Sequence, residues 1–407
     1  MRRYEKYKDS GVEWIGVIPE HWELKKFKHL YQFNMGATIL KSDLVIDGKI
    51  PVFSATEEDK VFGHVNETNV MLNKGDIIIP ARGNSIGHVT MVGGLATCTQ
   101  TTIHSKRISD RIIDNYSFYY MKGLRKNLFR FEQTAIPQIT VHQVKENNIV
   151  VPNINEQTAI ANYLDEKTAQ IDALIGKKQK MIELLEEEKQ AVVDEAVSGK
   201  GKNWERKKLK YVAMVQSSNV DKKTNEGELE IRLCNYVDVY YSEFITDQIE
   251  FMKASASEKE IRKFTLREGD VLITKDSETP DDIAKPALVT KDFDNVICAY
   301  HLAQIRVNKN ILIGEFLFRL FQSKAFNSHF EVSASGVTRF GLPLEAITDV
   351  EVSFPSSMEQ QNIVSYIQTE IQRIHNVIFK IQKEISLLQE YRTALISEAV
   401  TGKIKVA

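Results

Sequence analysis

The chain is poor in the residues that would commit it to the simplest functional classes. Its three cysteines, Cys98, Cys234 and Cys298, lie far apart with no C-x-x-C spacing. That excludes a disulfide framework and disfavours a thiolate zinc site, leaving reduced, buried thiols. No apolar run approaches the roughly 18 residues of a membrane-spanning helix. Behind Arg2 and Arg3 there is no apolar stretch such as a secretory signal carries, so a cytoplasmic protein with no membrane partner is expected. Neither sign of charge prevails, with 53 Lys and Arg against 55 Asp and Glu. Catalytic signatures are missing too. There is no G-x-x-x-x-G-K-[ST] phosphate loop, since Gly199-Lys200-Gly201-Lys202 is too short and follows a helical pattern instead of opening one. No Asn-Pro-Pro-Tyr or Asp-Pro-Pro-Tyr is present to grip a flipped base, and Pro280-Asp281 is not followed by an acid-x-Lys of nuclease type. Proline, nine residues in all, is absent from 156–197 and from 359–400, where glycine also nearly vanishes.

What is present is written twice. Residues 194–200 read D-E-A-V-S-G-K and 397–403 read S-E-A-V-T-G-K. The repeat extends backwards. Trp22-Glu23-Leu24-Lys25-Lys26 returns 182 positions later as Trp204-Glu205-Arg206-Lys207-Lys208, and Lys74-Gly75-Asp76-Ile77 returns 194 later as Glu268-Gly269-Asp270-Val271. Pro152 with Glu156-Gln157 returns 203 later as Pro355 with Glu359-Gln360. The offset drifts and then locks. Each unit is therefore a variable block followed by a segment of fixed length. In the blocks, short β-branched runs bounded by Gly, Asn and Asp predict strands, and residues 116–131 and 313–330 predict amphipathic helices. Each block is expected to be a small α/β domain.

The fixed segments predict long helices. One seam reads Ile171, Ile175, Lys178, Ile182, Leu185, Lys189, Val192, Ala196; its counterpart 203 residues on reads Ile374, Ile378, Ile381, Ile385, Leu388, Arg392, Leu395, Ala399. A shared register predicts that the helices pack on each other. Forty-two helical residues span roughly 63 Å, which would set the blocks at opposite ends of an antiparallel, coiled-coil-like pair. The expected fold class is two α/β (α+β) blocks in tandem, separated by two long antiparallel helices, an internal pseudo-two-fold repeat in one chain. Such a device suits the reading of two features at a set distance, and duplex DNA, with its repeat of roughly 34–36 Å per turn, is the natural ruler. Charge supports this only in part: residues 1–153 carry 20 basic against 16 acidic residues, whereas 204–355 carry 20 against 24. The alternatives are a protein-binding coiled-coil scaffold and a standalone DNA-modifying enzyme.

The segment from Asp9-Ser10-Gly11-Val12-Glu13-Trp14 through Pro19-Glu20-His21-Trp22, the Gly75-Asp76 strand with Arg82-Gly83 after it, Pro152 with Glu156-Gln157, and the closing Glu-Ala-Val-x-Gly-Lys together resemble the specificity subunit of type I restriction–modification systems. The resemblance covers the whole chain. It implies a target recognition domain at 1–153, a spacer helix at 154–203, a second target recognition domain at 204–355 and a second spacer at 356–407. It further implies that each domain reads one half of a split, asymmetric double-stranded DNA site and that the helices set the gap and dock two methyltransferase subunits. Restriction–translocase subunits would join them to complete the endonuclease. No cofactor is implied for this chain; S-adenosylmethionine, ATP and Mg2+ belong to the partners, as do adenine methylation and DNA cleavage.

Candidate base readers lie in polar loops beside the predicted strands: Arg82, Asn84, Ser85 and His88, then Gln100, Thr101, Thr102 and His104, in the first block. The second offers Lys275, Ser277 and Thr279, His301, and Thr338 with Arg339. Arg suits guanine edges, Asn and Gln suit adenine edges, and Thr meets the thymine methyl. His104 and His301 are read as equivalent positions, in separate blocks and so unable to share a metal. Gly199 and Gly201 are expected to make residues 198–203 a flexible junction that sets the half-site spacing.

Overall fold

The computed structural model describes residues 3–55, 60–130 and 137–406. It divides into two compact units, residues 1–179 with 382–407, and residues 180–381. Both are mixed α/β, and both are closed by parts of two 44-residue helices.

In the first unit, β1 (Glu23–Lys26) pairs antiparallel with a strand just before the first long helix. After β1 come β2 (Tyr31–Met35), β3 (Ile50–Phe53), β4 (Val61–Val65), β5 (Ile77–Pro80), β6 (Thr90–Met91), β7 (Thr97–Cys98) and β8 (Thr102–Arg107). They form an antiparallel sheet in the order β2-β8-β5-β6 and a smaller sheet β4-β3-β7. Helices α1 (Asp114–Gly123) and α2 (Arg125–Leu128) cover the larger sheet, β9 (Asn148–Val151) returns to β1, and α3 (Ile154–Val197) begins the long helix. The expected single helix over 116–131 is thus broken at Leu124, whose backbone leaves the helical region, and residue 131 falls outside the described residues.

The second unit repeats this order with β10 (Glu205–Lys208), β11 (Ala213–Ser217), β12 (Leu229–Cys234), α4 (Tyr236–Tyr241), β13 (Phe244–Ile245), β14 (Met252–Ala256) and β15 (Val271–Thr274). There follow β16 (Asp276–Ser277), β17 (Pro286–Val289), β18 (Val296–Cys298), β19 (Leu302–Val307), α5 (Gly314–Phe321), α6 (Lys324–Ser333), β20 (Ser335–Gly336), β21 (Phe340–Gly341), β22 (Glu351–Phe354) and α7 (Ser357–Val400). Its main sheet runs β11-β19-β15-β17-β13, beside β14-β12-β18. The helix expected over 313–330 is two helices, because the chain turns at Ser323, whose hydroxyl donates to the Leu320 carbonyl.

The repeated phrases have physical work in both units. Ahead of β5 and β15, Gly75 (φ +97°) and Gly269 (φ +85°) make the turn that other residues resist, and the following Asp staples it. Asp76 accepts from the Asn73 amide and Asp270 from the Arg267 amide, each at 2.9 Å. The Glu-Gln pair opening each long helix buries its glutamine completely. Gln157 donates to the Arg111 and Pro152 carbonyls and accepts from the Ile113 amide. Gln360 makes the same three bonds with Ile311, Pro355 and Ile313. Each glutamine fastens a helix start to the loop before the domain's own helix.

The closing phrase ends each helix on a glycine in the left-handed region, Gly199 (φ +57°) and Gly402 (φ +72°). A Cβ on Gly199 would lie 2.6 Å from the Trp204 ring, and one on Gly402 would lie 2.9 Å from the Trp22 ring. The glycine that ends the helix and the tryptophan that opens the block are one packing unit. A side chain at 199 would therefore clash with the tryptophan that opens the second block, whereas Gly201 (φ +76°) has open space around it.

The long helices pair antiparallel in both units. In the first, Asp172 meets Arg392 and Lys178 meets Glu384, so residue numbers rise on α3 as they fall on α7. In the second, Glu188 meets Arg373 and Lys202 meets Glu359. Ile171, Ile175, Leu185, Ile374, Ile378, Ile381, Leu395 and Ala399 of the expected seam are buried, and Ile182, Ile385 and Leu388 are half-buried. Val192 is half-buried as well, while its neighbour Val193 and Val197 are buried in the core of the second unit. That core also holds Ile363, Ile367 and Ile371 of α7, so near its end α3 packs on both the paired helix and the α/β block. In the first unit Ile396 and Val400 of α7 join Leu395 and Ala399 in the core.

Candidate nucleic-acid interface

Each unit gathers its candidate readers at one end of its main sheet, where β5 or β15 finishes and β8 or β19 starts. The backbone frame there is the same. In the first unit the Ala81 amide donates to the Thr101 carbonyl (2.8 Å), and the Ile139 amide to the Ala81 carbonyl (2.9 Å). In the second, Lys275 donates to His301 (2.8 Å) and Leu342 to Lys275 (2.8 Å). Strand register fixes the correspondence. His104 faces Asn34 and Ile78, and Gln304 faces Gln216 and Leu272. These partners differ by the 182 and 194 positions of the sequence repeat, so His104 corresponds to Gln304 and Thr101 to His301. The expected equivalence of His104 and His301 is corrected by this register.

On the first frame, exposed Arg82 donates through Nε to Gln138 Oε1 (3.0 Å), and exposed Gln100 accepts from Thr38 (3.1 Å). Thr101 is half-buried and shares a hydroxyl contact with Thr99 at 2.8 Å. Asn84 is exposed, His88 half-buried, and Ser85 buried with no partner for its hydroxyl. Thr102 and His104 lie inside the sheet, 0% and 4% exposed, away from any surface a duplex could touch. Burial, then the Lys106 ammonium, pushes the His104 imidazole below its usual pKa.

The second frame carries different chemistry. Asp276 stands where Arg82 stands in the first. His301, in the left-handed region at φ +67°, bonds through Nδ1 to the Asp276 carboxylate, and Arg339 Nη2 lies 3.5 Å from that same nitrogen and 4.0 Å from the carboxylate. The Lys275 ammonium donates to Ser217 across the sheet end, and Ser277 is buried. Thr279, Thr338 and Arg339 are exposed on a groove of about 560 Å³, whose opposite wall is α4. There Tyr236 and Tyr240 stack at 5.5 Å, and the Tyr240 hydroxyl donates to Asp282, which pushes its pKa up to about 12. The sequence reading missed Asp276, Gln138 and this tyrosine pair. The four-residue spacing in Y-V-D-V-Y-Y was the available signal for the tyrosines. Among the described residues no cluster of His, Cys, Asp and Glu could hold a metal, and no helix is long and apolar enough to cross a membrane.

A tandem pair of α/β domains, each ending its sheet in a polar, side-chain-variable surface and each continued by a long paired helix, defines a recognition scaffold. The family described as the type I restriction modification DNA specificity domain matches residues 19–184 and 201–386, and the chain belongs to that family. It is 21% identical over 414 residues to the MjaVIII specificity subunit of Methanocaldococcus jannaschii, covering 96% of this chain and 94% of that protein. With the EcoKI specificity subunit of Escherichia coli K12 it shares 23% over 270 residues, 63% of this chain and 58% of that one. Its fold matches a chain from a type I R-M system complex at a TM-score of 0.71 and 13% identity, covering 95% of this chain and 99% of that one. The HsdS subunit of Thermoanaerobacter tengcongensis follows at 0.56 and 14%, covering 95% and 98%.

Proposed function

We propose that this chain is the DNA-reading subunit of a type I restriction–modification enzyme, in which residues 1–153 and 204–355 each recognise one half of a split, asymmetric site. One observation carries the reading: two sheet ends share a backbone frame yet present Arg82, Gln138 and Thr101 in one unit and Asp276, Gly341 and His301 in the other. A common scaffold with unlike side chains is what two unlike half-sites require. Residues 154–203 and 356–407 set the gap and dock methyltransferase subunits. Their exposed apolar side chains support docking: Leu174, Leu387 and Tyr391 in the first unit, and Met181, Leu184, Tyr366 and Phe379 in the second. Bond chemistry, with S-adenosylmethionine, ATP and Mg2+, belongs to the methyltransferase and restriction–translocase subunits.

Exchange of residues 204–355 for the block of a relative tests this. Mapping methylated adenines in a host carrying the complete system is expected to show one altered half-site and one unchanged. Alteration of both, or of neither, overturns independent reading. Methyl transfer or cleavage by the isolated chain would sink the assignment of chemistry to other subunits.

A further inference from the structure

The second sheet end contains a constellation more specific than a polar loop. His301 follows Tyr300 in the turn before β19 and adopts a left-handed backbone that a side chain with a Cβ resists. Its counterpart Thr101 is not among the residues with positive φ. In this conformation the imidazole meets Asp276, whose carboxylate accepts at Nδ1. Asp276 lies in β16, which pairs with β21, and β21 pairs with β20 to make the hairpin that carries Arg339. Residues 335–339 of that hairpin are all exposed, and the Arg339 side chain is 58% exposed although Nη2 approaches Asp276 and His301. The Asp276 carboxylate, 4.0 Å from Nη2, draws one end of the guanidinium toward the sheet end by charge and leaves the rest of its planar fork open to the groove. Phosphate attraction alone does not explain this arrangement. The groove wall also carries Asp276, Glu278 and Asp282, which repel a phosphate backbone while leaving a directional donor effective.

The geometry assigns Arg339 as a specificity-determining residue that reads guanine, at O6 and N7 in the major groove, within the half-site of the second unit. Asp276 is its positioning residue, fixed in turn by His301. This rests on the reading of residues 204–355 as a half-site reader and adds the base and the side chain.

The test uses the assembled enzyme with its methyltransferase subunits and three variants, Arg339→Ala, Arg339→Lys and Asp276→Asn. Sequences methylated in a host are mapped, and methylation rates are measured on duplexes substituted at each guanine of the half-site. Both Arg339 variants are expected to lose discrimination at one guanine by about 5- to 150-fold while the other half-site and the gap stay as they were. Asp276→Asn is expected to relax the same position and no other, a readout that general loosening of the domain does not give. Lysine keeps the charge without the fork. If Arg339→Lys preserves the sequence read while Arg339→Ala slows methylation of all sites equally, Arg339 holds phosphate and the inference falls. It falls too if all variants read the native sequence, or if that half-site contains no guanine. Where block exchange alters one half-site but these variants alter none, only this inference fails; where block exchange alters neither, the half-site reading itself fails.

Discussion

Gln157 and Gln360 show how much a single uncharged side chain can hold when it is fully buried. Each bonds one amide and two carbonyls where the start of a long helix meets the loop before the domain's own helix. Replacing Gln157 by Ala is expected to destabilise the first unit by about 2–4 kcal/mol, since buried groups left unpaired lose their desolvation compensation; urea unfolding monitored in that unit measures it. His104 supplies a pH dependence. Its imidazole is held below the ordinary value of about 6.5 in the folded chain, so on acidification the unfolded chain takes up a proton that the folded chain refuses. Stability is expected to fall from about pH 6.5 down towards the depressed value. His104→Gln, the side chain found at the matching position 304, is expected to remove that part of the slope between pH 7.5 and 5.5 in thermal melts. The Glu-Gln and Gly-Asp pairs were legible in the sequence because they recur. The His104 correspondence was not, because two histidines at a plausible offset outweighed a strand register that only pairing reveals.

At the scale of elements, the long helices were the most legible part of the chain. Their lack of proline and their three- and four-residue apolar steps leave no competing structure. What periodicity could not reveal is that near the end of α3 the fully buried position is Val193, one residue past the expected Val192. Val193→Ala is expected to cost about 2 kcal/mol, from two lost methyl-sized groups and the space they leave, and Val192→Ala under about 1 kcal/mol. A loss at Val192 as large as that at Val193 in paired unfolding measurements would overturn this. The broken helices near residues 124 and 323 were read as continuous because both halves present apolar faces, and only tertiary packing decides that the chain turns there.

For the whole molecule, the internal repeat sets out the plan, and its drifting offset marks which parts vary. One feature of that plan bears on the order in which the protein is made. The second unit is an unbroken run of chain, 180–381, whereas the first is completed by residues 382–407. Its core holds Leu395, Ile396, Ala399, Val400 and Ile404, and the Tyr7 hydroxyl donates to the Gly402 carbonyl across 395 residues. Domains ordinarily finish in the order of synthesis, N-terminal first, and distant contacts form late. Here that order is expected to be inverted. A chain ending at residue 381 is expected to protect the amides of residues 204–354 from hydrogen exchange and to leave those of residues 20–150 weakly protected. The earlier-made unit is then expected to stay incomplete until residues 382–407 have been made, so a chain that stops short of them would not hold both units folded at once.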